Sequence, residues 1–248
     1  MASVTGRGGH VTRQVTGVDT IVSGVKEWSV DYTVDMLDIT EFAESAPTYK
    51  SYLPIIKGST GSIVGNHTDG DTGLTLGTAY NLFLLAHSGR AYYGSAYITN
   101  KGVSITVDGE ANTTYSFEFT GKVYVLGADV VADGAFTAAS SAAWDVSDAD
   151  ISYDTTGDQI DWAGAGDLVP ASNNVIVTTT DYWTQMLLEN ESGTTSCTLK
   201  LGTTSGTART TNGTYTEIIT SAGTTFTVSV TTDGALSLSE LQIRTILN

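Results

Sequence analysis

Few side chains in this sequence are of types that do covalent chemistry, and their spacing decides how each reads. Histidine occurs three times, at His10, His67 and His87, each time among turn-forming residues. No HExxH pair, no G-x-S-x-G elbow with a paired histidine and no Walker loop occurs. Asp145, Asp148, Asp150, Asp154, Asp158 and Asp161 crowd one stretch. Their spacing fits no carboxylate pair of a glycoside hydrolase, and a solvated acidic loop face is the stronger reading. Asp69 and Asp71, in DGDTG, have the D-x-D-x-G core of a calcium loop. The distant bidentate glutamate of such a loop is missing, so an ordinary polar turn outweighs a metal site. Cys197 is the single cysteine, which rules out an internal disulfide; in CTLKL it alternates with Leu199 and Leu201 as a small core residue would.

The aromatic residues offer binding rather than catalysis. Tyr182 and Trp183 are neighbours on a predicted strand, so they point to opposite faces. If one fills a core, the other lies on an outer face, where a ring can stack on a sugar. Trp183 is the first candidate for such glycan stacking, Trp162 the second, with Tyr182 and Tyr215 as companions. Core packing is the competing reading for each of them. No cofactor is expected.

Strands would position these residues almost everywhere. The chain has 27 glycines, three prolines and 15% charged residues, too few helix formers for long amphipathic helices. In residues 26–40, Trp28, Val30, Tyr32 and Val34 alternate with polar residues, as in a half-buried strand. EFAESAPTYKSYLP is the only candidate for a short helix, and KGSTGSIVGNHTDGDTG reads as turn-rich. TAYNLFLLA turns at HSG into RAYYGSAYIT, a hairpin. A second hairpin spans residues 103–121, where Val103, Ile105 and Val107 answer Tyr115, Phe117 and Phe119. The fold class is therefore all-β, with a sandwich or barrel over residues 1–135. Residues 136–248 make a second sandwich, a jelly roll, from strands such as DYWTQMLLEN, TSCTLKLG and TTFTVSV.

The net charge of −16 argues against wrapping nucleic acid, which needs clustered lysine and arginine. It is uneven: residues 1–126 hold 8 basic and 12 acidic side chains, and residues 127–248 hold 3 and 15. No run of about 20 apolar residues is present, so no membrane insertion is expected. The first residues lack the apolar core of a signal peptide, so the expected site of synthesis is a cytoplasm.

GVKEWSVDYTVDMLDITEF, LPIIKGSTGSIVG and RAYYGSAYITNKGVSITVDG with TTYSFEFTG, in that order, resemble the major tail (tail tube) proteins of long-tailed bacteriophages. The shared features are a Trp-bearing first strand, a D-x-T-x-F turn from Asp38 to Phe42, a GS-TGS strand, the segment from Tyr92 to Thr99 and the closing hairpin. They cover about residues 15–125. The resemblance implies a non-enzymatic β-sandwich protomer that forms hexameric rings stacked into a tube. Its partners would be further copies and other tail proteins, with DNA passing through the lumen without specific binding. Its place would be the virion tail, assembled in the host cytoplasm. Residues 137–248 resemble jelly-roll, carbohydrate-binding-like modules appended to phage structural proteins, which implies outward decoration or weak binding of cell-surface glycans. The rival reading is a trimeric adhesin or baseplate or fibre-type glycan-binding protein. An acidic glycan hydrolase ranks third.

Overall fold

The two arms of the expected hairpin do pair, with Val107 outside the described residues. β6 (Arg90–Ile105) and β7 (Ala111–Phe119) pair antiparallel from Ala96↔Phe119 to Ile105↔Ala111. A computed structural model of the chain describes residues 10–15, 18–38, 52–67, 73–105, 109, 111–138, 142–171, 176–189, 196–231 and 234–247. The fold is all-β, and every strand pair is antiparallel.

In the first half, β1 (His10–Val15), β2 (Val18–Ile21), β5 (Ala79–His87) and β6 lie side by side in the order β6-β5-β1-β2. β3 (Val25–Asp38), β4 (Tyr52–Asn66) and β7 continue from the far part of β6. Period-two alternation sends Tyr80, Leu82 and Leu84 of β5 into one core with Ile63, Ile98, Tyr115, Phe117 and Phe119. Trp28 and Val30 pack against this core, whereas Tyr32, expected on the same face, is 55% exposed.

The turn-rich reading of residues 57–73 is overturned at its start, because β4 runs through Gly58, Gly61 and Gly65. A Cβ at Gly61 would lie 2.2 Å from the Ser29 carbonyl oxygen and 2.4 Å from the Phe117 ring. Glycine stands there because a strand and a phenyl ring approach closely, not because the chain turns. Most of the candidate helix EFAESAPTYKSYLP, like Asp69 and Asp71, lies outside the described residues.

The second half is a two-layer sandwich. One layer runs β10 (Ile151–Asp154), β11 (Gln159–Trp162), β18 (Leu236–Ile246), β13 (Asp181–Glu189), β16 (Gly213–Thr220). The other runs β15 (Thr204–Ser205), β14 (Ser196–Leu201), β17 (Phe226–Thr231), β12 (Gly166–Pro170), β9 (Trp144–Asp145). Inner residues of both layers, among them Leu199, Leu201, Val228, Leu238, Leu241 and Ile243, are fully buried between them. Packing passes from the first core to the second between Val123 and Val130.

β8 (Tyr124–Asp129) joins the halves. It pairs with β6 through Ala91↔Leu126 and with β18 through Asp129↔Arg244, so one sheet runs through both sandwiches. Beside this joint, Phe83, Ala91, Leu126 and Trp183 form a third, smaller buried cluster drawn from both halves.

Candidate functional site

The crowded aspartates do local work. Asp145 accepts a hydrogen bond from the Ser147 backbone N–H (3.0 Å), Asp148 from Asp150 (3.0 Å) and Asp154 from Thr156 (2.8 Å). Each is an Asx turn in which the side chain closes its own bend. The bonds to Ser147 hold the Asp145 carboxyl below its ordinary value. Asp161 accepts instead from Gln159 on its own strand (2.8 Å) and from Ser237 on the neighbouring β18 (2.6 Å). Among the described residues, no group of three or more His, Cys, Asp or Glu is placed to hold a metal ion. Cys197 is fully buried, and burial pushes its thiol up to about 12, which makes it a poor nucleophile.

Tyr182 and Trp183 do point to opposite faces, yet both are buried, and this corrects the expected exposed ring. Tyr182 lies in the second core, where its hydroxyl accepts the Val177 backbone N–H at 2.8 Å. Trp183 points to the outer face of the second sandwich, and the first half covers that face. Its ring stacks on Phe83 at 5.2 Å and tilts against Tyr93 at 5.3 Å. Trp162 is buried in the second core as well. Tyr215 is half-buried, with the Arg209 guanidinium 4.8 Å above its ring and its hydroxyl donating to the Thr211 carbonyl at 2.8 Å. Trp162, Tyr182 and Trp183 leave no open ring for a sugar, and the Arg209 guanidinium covers one face of Tyr215.

Around Trp183 the seam between the halves is polar. Asp19 on β2 accepts from Gln14 (2.9 Å) and, across the seam, from Gln185 (2.8 Å). Burial raises its pKa, and the nearby Glu240 adds to the rise. Tyr93 and Thr216 share a hydrogen bond of 3.0 Å. Arg244 donates to the Ser88 carbonyl (3.3 Å) and the Gly127 carbonyl (3.1 Å), and burial lowers its pKa. At one end the seam opens into a cleft of about 720 Å³ whose lining includes Thr12, Asp19, Ile21, Gln185, Glu189 and Glu240.

The remaining candidate surface is backbone. Among the described residues, β3 is paired on one side only, by β4, along its 14 residues. Beyond Ile98, β6 is paired only by β7 among the described residues. That arm carries Val103 and Ile105, which are 52% and 74% exposed. Their alternation suits a core that the sandwich does not supply at that distance.

No family model and no curated protein matches the chain. Solved structures similar to it include tail and baseplate proteins. The tail of an empty gene transfer agent particle, refined helically with C6 symmetry, matches 49% of this chain and 97% of its own at 17% identity, TM-score 0.40. The SPP1 tail tube matches 50% of this chain and 80% of its own at 16% identity, TM-score 0.39. The SPP1 Dit (gp 19.1) protein, described as a paradigm of hub adsorption apparatus in Gram-positive infecting phages, matches 96% of this chain and 99% of its own at 9% identity, TM-score 0.35.

Sequence reasoning missed the seam. The only trace of it in the sequence is that β5 and β13 carry large side chains on both faces, Leu82 and Leu84 against Phe83, and Tyr182 against Trp183. A strand apolar on both sides is buried on both sides.

Proposed function

We propose that the chain is a structural protein of a bacteriophage tail, whose first half forms rings that stack into a tube. The free edges of β3 and of the β6 arm carry this reading, together with the ordered motifs of residues 15–125. These edges differ from each other, so joining one to the other between copies gives a head-to-tail contact, the kind that closes into rings. Such pairing also removes the aggregation hazard of long unpaired strands. Six copies are the number the sequence resemblance implies, and DNA would pass through the lumen. Acidic side chains facing that lumen would repel phosphate and let DNA slide.

The second half would project outward as decoration. Its strand sets β11-β18-β13-β16 and β12-β17-β14-β15 support a jelly-roll reading.

Negative-stain microscopy of the purified full chain tests the proposal. Stacked rings on the order of 100 Å across are expected from about six domains of this size around a channel. Single rings that never stack would point to a baseplate position, and trimeric spikes to an adhesin. Ile105→Lys should leave the fold intact, within about 0.5 kcal/mol of the wild-type stability. It should also stop assembly, and normal tubes from this variant would remove the β6 arm from the interface.

A further inference from the structure

Of the four tryptophans, Trp144, Trp162 and Trp183 are at most 3% exposed, and Trp28 alone is half-buried. One side of Trp28 rests on the first core, braced by Tyr92 at 5.7 Å in an edge-to-face contact. It also lines a separate cleft of about 440 Å³ with Val30, His87, Arg90 and Tyr92. The β5–β6 turn builds this wall. His87 and Arg90 are cross-strand partners on either side of Ser88-Gly89, and Tyr92, two residues beyond Arg90, shares its face.

Arg90 brings only donors to the cleft, and Ser29 and Tyr92 add hydroxyls that can donate or accept. The Gly89 backbone N–H donates to His87 Nδ1 at 3.0 Å, which assigns the neutral ring's proton to Nε2. Among the described residues, Arg90 is exposed and makes no ion pair, and no carboxylate lines the cleft, although the chain carries 27 acidic side chains. The Arg244 bond to the Ser88 carbonyl ties the turn to the second sandwich and fixes its position.

We propose that this cleft binds a single sugar residue bearing one carboxylate. The C–H face of the ring would lie on the Trp28 indole, and the carboxylate would take hydrogen bonds from Arg90 and His87. One arginine and one histidine match one anionic group. They are too few for a nucleic-acid backbone, which the chain's overall negative charge also repels. The inference does not depend on the tail reading, since it concerns the surface of one copy.

Saturation-transfer NMR on the full chain, with methyl glucuronide as probe and methyl glucoside as its neutral control, tests it. Transfer to the ring protons of the glucuronide is expected, with binding at least tenfold weaker for the glucoside. Arg90→Gln, a change at an exposed position, should weaken glucuronide binding about tenfold, and Arg90→Lys should restore part of it. Trp28→Leu should abolish transfer, with circular dichroism reporting whether that variant folds. No transfer from glucuronide, equal transfer from both sugars, or an unchanged affinity in Arg90→Gln would each overturn the proposal. Displacement of the glucuronide by a short oligothymidylate would overturn it in favour of a nucleic-acid site.

Discussion

Phe117 shows how much can rest on one side chain. It is 1% exposed, stands edge-to-face with Phe119 at 5.2 Å, and fills the space that Gly61 leaves open. Phe117→Asp would put an unpaired carboxylate there at a cost of more than about 4 kcal/mol, so the variant should be unfolded by circular dichroism. Trp183→Ala should lose about 3–5 kcal/mol in urea unfolding, because it empties the cluster shared by the two halves. Asp19 makes a pH-dependent contribution. Its raised pKa means that the folded state holds the proton more tightly than the unfolded chain does. Its stabilising effect is therefore full below the ordinary aspartate value and is lost as pH rises through the raised one. Urea midpoints should improve as pH falls from neutral towards the ordinary aspartate value, and Asp19→Asn should flatten that part of the gain.

At the scale of elements, strands with one wet face were legible in the sequence. β3, β14 and β17 alternate plainly, and HSG marks the β5–β6 turn. β4 reads as turns from its own residues, and only the resemblance expected its GS-TGS strand, because three of its glycines answer to close neighbours that the folded sheet alone brings near. The short strands β9 to β12 were hidden by aspartates that close the turns around them. The expected exposed ring of the Tyr182–Trp183 pair failed for a related reason. Alternation tells which side of β13 each ring takes, but not that the first sandwich covers the outer side. Trp28 looked like an ordinary inward strand residue, and its cleft depends on a turn some 60 residues further along the chain.

For the whole molecule, the seam sets what a truncation can do. The sequence suggests two modules with separate cores, and the structure adds a cluster and a sheet that both halves share. Deleting residues 137–248 would uncover Phe83, Ala91 and Leu126 and strip one edge of β8. The remaining chain should keep strand circular dichroism but bind an apolar dye and melt well below the full protein. An equal melting temperature would show the halves to be independent. β18 pairs with β8, β11 and β13, all of which precede it in the chain. A ribosome therefore makes every partner before it makes the strand that joins them. Until β18 emerges, the Leu126 edge waits open, and a prematurely terminated chain never closes it. Only copies translated through Ile246 present the finished seam, and products that stop short of it carry an uncovered apolar face that chaperones and proteases can recognise.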